Sequence, residues 1–69
     1  MSDHVYKMVN VVGSSKASVD DAIQKAVTKA SRSIHNLEWF EVENIRGHIQ
    51  DGKVGHFQVT MKLGFRLDD

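Results

Sequence analysis

The chain contains no cysteine, no proline and no excess charge of either sign, since nine basic side chains balance nine acidic ones over 69 residues. Without cysteine, neither a disulfide nor a thiolate-ligated metal can hold the fold together. A net charge of zero argues against a general binder of nucleic acid or membrane surfaces, because such proteins are normally basic. No apolar run approaches the roughly 20 residues of a membrane span, and no signal-peptide pattern is present. We therefore expect a soluble cytoplasmic protein with neither kind of partner.

The short length predicts a single domain, residues 1–69, that depends on other copies of itself. Domains of this size bury only about 60% of the surface that the unfolded chain exposes, and they are marginally stable alone. Disulfides and thiolate metal sites are excluded by the composition. Self-association is then the expected source of additional stability.

Three segments have the pattern of strands. Residues 4–12 are rich in β-branched and aromatic side chains, and residues 13–17 have the composition of a turn. The second half of the chain predicts a long hairpin with arms at 37–50 and 53–67. Its turn, Asp51-Gly52, is a pair that two-residue hairpin turns favour.

A helix is expected between the first strand and the hairpin. Ser18 followed by Asp21 resembles a capping box with Asp in place of the usual Glu or Gln, so the helix should begin there. Apolar residues then recur at three- and four-residue spacing for about 16 residues, to Ile34. His35-Asn36 is the predicted stop, since Asn tolerates the left-handed backbone that often follows a helix.

The two-residue turn fixes the hairpin register, so each residue of one arm has a predicted partner on the other. Counting back from the turn places Trp39 opposite Gly64. The same count sets Glu41 opposite Lys62, where an ion pair is expected. It also pairs apolar residues on the other face, Val42 with Met61 and Phe40 with Leu63.

Trp39, the only tryptophan, is predicted to point away from the helix. Side chains alternate between the two faces of a strand, and Gln58 shares the outer face with Trp39 under this rule. Simple alternation places Arg46 on the helix side. A bulge near Glu43 and Asn44 would move it to the outer face, and the hairpin tip could also extend beyond the helix.

The expected lengths show that one helix cannot cover the sheet. A helix of about 16 residues spans roughly 24 Å, whereas a straight hairpin arm of about 14 residues spans roughly 46 Å. The far half of the hairpin must therefore bend over or pack against neighbouring subunits.

A strand, a capped helix and a long hairpin in this order, with four short motifs at matching spacing, resemble the dodecin family over essentially the whole chain. The tryptophan, the Arg-Gly step and the glutamine are specific in combination, although each alone is weak. The four motifs are Leu37-Glu38-Trp39-Phe40-Glu41-Val42, Ile45-Arg46-Gly47, Phe57-Gln58-Val59 and Gly64-Phe65-Arg66-Leu67.

The resemblance implies an α+β fold, in which a βαββ protomer wraps a three-stranded antiparallel sheet on one helix and assembles into a hollow homododecamer. Dodecins bind flavins, commonly as stacked pairs between symmetry-related tryptophans. They are regarded as flavin storage or sequestering proteins rather than enzymes. FMN is the expected flavin, with riboflavin, FAD or lumichrome as alternatives, and coenzyme A is a candidate second ligand.

The resemblance also implies roles for single residues. Trp39 matches the residue that stacks on the flavin and quenches its photochemistry, Gln58 matches the glutamine at the polar edge of the isoalloxazine, and Arg46 matches an arginine lining the site. His48 is expected to border the pocket because it lies close to Arg46. Cations that could contact phosphates are Lys7, Lys29, Arg32 and Arg66, for which a solvated or subunit-bridging role is equally consistent with the sequence.

No catalytic or metal site is expected. The four histidines show no ligand spacing, and no acid, base or nucleophile constellation supports a small flavin-dependent enzyme. The competing function is a ligand-free assembly protein, in which Trp39 and Gln58 only seal subunit contacts.

Overall fold

A computed structural model describes residues 3–68, so the ends of the predicted 1–69 domain lie outside the described residues. The elements follow in the order β1 (Tyr6–Ser15), α1 (Val19–Ala30), β2 (Leu37–Gln50) and β3 (Lys53–Arg66). The three strands form one antiparallel sheet in the order β1-β3-β2, with β3 at its centre. The α+β fold and the βαββ order predicted from the sequence are confirmed.

The first strand is longer than predicted, because residues 13–15 continue it instead of forming a turn. Gly13 permits α1 to cross β1 at this point, since a Cβ there would overlap the backbone carbonyl of Ala22. The end of β1 is then tied to the start of the helix by Ser15. Its hydroxyl accepts the Ala17 N–H at 2.9 Å and donates to the Asp21 carboxylate at 2.5 Å.

The predicted helix start is confirmed by the cap itself. The Ser18 hydroxyl accepts the Asp21 N–H at 3.0 Å. The Asp21 carboxylate accepts from Ser15 and pairs with Lys25 at 3.0 Å, so the helix begins with a network that reaches back to β1. The hydrogen bond from Ser15, together with Lys25, lowers the pKa of Asp21 from its ordinary value.

The predicted helix end was wrong, because α1 has 12 residues and ends at Ala30 instead of near Ile34. The hydroxyls of Ser31 and Ser33 donate to carbonyls in the last turn of the helix, and such local bonds compete with helix continuation. Asn36 has the expected left-handed backbone, with φ of 62°, but it serves the turn into β2. No helix of residues 3–68 is long and apolar enough to cross a membrane.

The core lies between α1 and the two strands that it covers, β1 and β3. Ala22 of the helix is fully buried against Val59, Met61 and Leu63 of the central strand. The helix does not extend over most of β2, whose helix-side apolar row is therefore exposed. This row consists of Phe40, Val42, Ile45 and Ile49, with exposed fractions between 38% and 73%.

The hairpin turn follows the sequence prediction, and so does the register on either side of a shifted segment. Asp51 and Gly52 both have positive φ, 53° and 74°, which is the geometry of a type I′ turn. The pairs named from the sequence are present, including Trp39 opposite Gly64, but the pairs from Asn44–Thr60 to His48–His56 are shifted by one residue. One detail differs: Lys62 lies opposite Glu41 but forms its ion pair with Glu43, at 3.7 Å.

The exposed apolar row on β2 predicts self-association. We expect purified protein to be oligomeric in native mass spectrometry or light scattering, because this row is too extensive to remain in water. Ile45→Asp should yield smaller species, since it introduces a charge into the apolar row, whereas Ile45→Val should retain the wild-type mass. A monodisperse monomer at micromolar concentration would contradict the expectation.

Candidate ligand-binding site

Trp39 lies flat on the backbone of Gly64, on the sheet face opposite the helix. A Cβ at position 64 would overlap the Cδ2, Cε2 and Cζ2 atoms of the indole, so only glycine permits this contact. The side chain nevertheless remains 38% exposed. One face of the ring is therefore packed on the sheet while the other is open.

Tyr6 of β1 completes this arrangement and was not singled out from the sequence. Its ring meets the indole edge-on, with centroids 5.2 Å apart and planes at 66°. We call Tyr6, Trp39 and Gly64 the indole platform. The sequence did not indicate a role for Tyr6, because its contact with Trp39 depends on the pairing of β1 with β3. The local pattern of β1 does not specify which strand it pairs with.

A bulge in β2 places Arg46 on the outer face with Trp39, and a second bulge in β3 sets its cross-strand partner. An extra residue at Glu43 interrupts β2, and Gly55 is an extra residue on β3, so the pairing is shifted by one position between them. Arg46 consequently lies opposite Gln58. The helix-side position given by simple alternation was wrong, and the alternative with a bulge near Glu43 is confirmed.

The shifted segment presents a compact set of polar side chains beside Arg46 and Gln58. His48 lies opposite His56, with ring centroids 5.5 Å apart and planes at 23°, a stacked arrangement. We call this segment the polar block. Its members are Asn44, Arg46, His48, His56, Gln58 and Thr60.

The indole platform and the polar block do not meet within one protomer. Gly64 and Gln58 are six positions apart on β3, which corresponds to about 20 Å along a strand. This distance exceeds the length of a single tricyclic ring system. A tricyclic ring in contact with both Trp39 and Gln58 must therefore take them from different protomers.

The remaining predicted cations lie in three separate places. Arg66 lies on the outer face opposite Tyr6, next to the indole platform, whereas Lys7 lies opposite Phe65 on the helix side. Lys29 and Arg32 line a groove of about 510 Å³ between β1 and α1, together with Lys25. The role of each of these cations stays a prediction.

The chemistry available on the outer face is binding chemistry. It combines an open aromatic face, amide groups that donate and accept hydrogen bonds, and a guanidinium suited to phosphate. Within residues 3–68, no three His, Asp or Glu side chains converge in a group that could hold a metal ion.

Comparisons with known proteins agree with this architecture. The family model described as Dodecin matches residues 5–68. A curated dodecin from Thermus thermophilus is 43% identical over 65 residues, or 94% of each chain. The solved dodecin of Streptomyces coelicolor is 52% identical, with a TM-score of 0.93, over 100% of this chain and 99% of that one. The dodecin of Streptomyces davaonensis is 50% identical, with the same TM-score, over 99% and 100%.

Gly64 provides a direct test of how the indole is held. Gly64→Ala should force the ring off the sheet, at a cost typical of overpacking, about 1–3 kcal/mol. We expect a lower midpoint of thermal unfolding at fixed protein concentration and an altered near-ultraviolet circular dichroism signal from the single tryptophan. Gly55→Ala on the same strand is the matched control, because a Cβ there meets nothing closer than 3.4 Å. Equal effects of the two variants would show that the contact with Trp39 is not what requires glycine.

Proposed function

Because the chain belongs to the dodecin family of small, self-assembling flavin-binding proteins, we propose that it stores and sequesters a flavin against Trp39 in a homododecameric shell. The observation that carries the proposal is the indole, which has one face packed on Gly64 and the other open. Membership of the family supports the class of ligand, and the open face of the indole supports this location for it.

The open face of Trp39 suits a flat, conjugated ring. Stacking buries apolar surface on both partners and gains dispersion without demanding directional bonds. The indole is also electron-rich, so a photoexcited flavin in contact with it can accept an electron and return it without emitting light. Bound flavin would then be protected from its own photochemistry.

Polar groups of the ligand would be recognised by the polar block of a second protomer. Gln58 carries two donors and an acceptor, which complement the alternating pattern at the pyrimidine edge of the isoalloxazine. Arg46 lies directly opposite Gln58 and can bind a phosphate in bidentate fashion, which favours FMN. His48 is the next outward-facing residue of β2 and would border the same pocket. Riboflavin, FAD and lumichrome share the ring and would compete for it.

Storage agrees better with this site than catalysis does. Stacking and hydrogen bonding hold the ring, but neither the indole of Trp39 nor the amide of Gln58 takes a proton from a second substrate or gives one to it. The ligand-free alternative, in which Trp39 only seals a subunit contact, predicts colourless protein with no affinity for flavin. Sustained NADPH oxidation by the flavin-loaded protein would contradict storage.

Coenzyme A is a second proposed ligand, supported by the groove between β1 and α1. Lys25, Lys29 and Arg32 line this groove and could meet the phosphates of the coenzyme. Lys7 and Arg66 lie outside the groove. Arg66, beside the indole platform, is better placed to assist the flavin.

Replacing Trp39 tests the stacking directly. Trp39→Leu should weaken FMN and riboflavin by about 1–3 kcal/mol per stacked face, the range for aromatic stacking on bases. It should also abolish most quenching of flavin fluorescence, because leucine cannot donate an electron. Phe40→Leu is the matched control, since its side chain is adjacent in sequence but lies on the opposite sheet face. Unchanged affinity and quenching in Trp39→Leu would place the flavin elsewhere.

Arg46 tests the choice of flavin. Arg46→Gln should weaken FMN more than riboflavin, because only FMN carries a phosphate, and the difference should shrink at high salt. Lys53→Gln is the control, as it removes a cation near the hairpin turn without altering the pair of Arg46 and Gln58. Equal losses for FMN and riboflavin would place Arg46 at the ring or in a subunit contact. Both titrations can follow flavin fluorescence at fixed protein concentration.

A further inference from the structure

Two of the four histidines form a cross-strand pair on the outer face. His48 is exposed, His56 is half-buried, and their rings stack with centroids 5.5 Å apart. Neither imidazole has a hydrogen-bond partner among residues 3–68. The other two histidines, His4 and His35, lie outside the strands.

A bulge aligns the two histidines. Without the extra residue at Gly55, the register set by the hairpin turn would pair His48 with Gly55 and His56 with Gly47. The bulge shifts β3 by one position and sets the imidazoles side by side. Bulges frequently redirect side chains at functional positions.

We propose that His48 and His56 form a two-imidazole site for a divalent transition-metal ion, with zinc as the representative. Neutral imidazole is the protein ligand that zinc, nickel and copper share, whereas calcium and magnesium prefer oxygen. Two imidazoles held by paired strands bind one ion as a chelate, so the second contact follows the first without a further loss of translational freedom. The site is distinct in chemistry from flavin storage and does not rest on it.

The spacing of the rings is suitable for one ion. With zinc–nitrogen bonds of about 2.0–2.1 Å and a tetrahedral angle, the two ring centres would be about 5 Å apart. The observed separation is 5.5 Å. The stacked rings need only rotate about χ2, which is a soft torsion, to direct a nitrogen from each at the ion.

The surroundings of the pair predict a labile site instead of a structural one. Two cross-strand pairs to either side, on the same sheet face, lie Arg46 with Gln58 and Gln50 with Lys53. The two cations weaken binding of a divalent ion, but each glutamine offers an amide oxygen to the second N–H of an imidazole. One protomer supplies two ligands, so water or a second protomer completes the coordination.

Zinc titration of the flavin-free protein by calorimetry at pH 7.5 tests the proposal. Wild type should bind one ion per chain, or one per two chains if protomers share it. His48→Gln and His56→Gln should each lower the affinity roughly 100-fold through loss of chelation, and the double variant should lose little more. The controls, His4→Gln and His35→Gln, should match wild type. Equal affinity in all four single variants, or no binding by wild type, would overturn the site.

A second measurement needs no variant and therefore holds even if a substitution prevents assembly. Protons compete with the metal for imidazole nitrogen, so wild-type affinity for zinc should fall strongly between pH 7.5 and pH 5.5. Carboxylates remain ionised over this range. An affinity that is the same at both values would assign zinc to carboxylates and refute the histidine pair.

Discussion

The arrangement of this protein depends on one property of paired strands: a side chain changes face only when a residue is added to or omitted from the ladder. The hairpin makes this change three times, at Gly55 on β3 and at Glu43 and Glu38 on β2, and the first two bound the polar block. The bulge at Gly55 brings the β3 members of the polar block to the outer face. The bulge at Glu43 restores the register set by the turn, in which Trp39 pairs with Gly64. Between them, Ile45 keeps its place in the apolar row on the helix side.

The same hairpin explains why the protomer is incomplete. Helix α1 covers β1 and β3, so the apolar row of β2 has no partner within the chain. The outer face is divided as well, because the indole platform and the polar block lie about 20 Å apart along β3. The apolar row therefore requires other copies of the chain, and the proposed flavin site would take its two parts from different copies.

Much of the fold was predictable, because several local signals agree with the final structure. The turn Asp51-Gly52 fixed the register, and Ser18 marked the start of the helix. The pair of Trp39 with Gly64 was predicted correctly although the register is shifted between this pair and the hairpin turn. The two bulges responsible lie on opposite strands, so their shifts cancel.

What the sequence did not reveal depends on contacts between distant segments or on short-range competition. A bulge residue such as Glu43 resembles any other strand residue, whereas Gly55, an isolated glycine in a strand, was a signal that could have been used. The helix end was missed because the hydroxyls of Ser31 and Ser33 compete with helical bonds, an effect that apolar periodicity does not report. The separation of Gln58 from Gly64, by contrast, follows from their six-residue spacing on one strand and could have been predicted from the sequence.

This division gives the proposed storage function a physical consequence. The indole of Trp39 is already fixed by Gly64 and Tyr6, so stacking a flavin on it requires little further ordering of the side chain. A ligand that also reaches Gln58 of another protomer binds the assembled form and not the isolated chain. Linkage then requires that flavin stabilise the assembly by as much as assembly strengthens the binding of flavin. A small protein with a partly covered sheet thereby becomes most stable when it is loaded, which is the behaviour that storage demands.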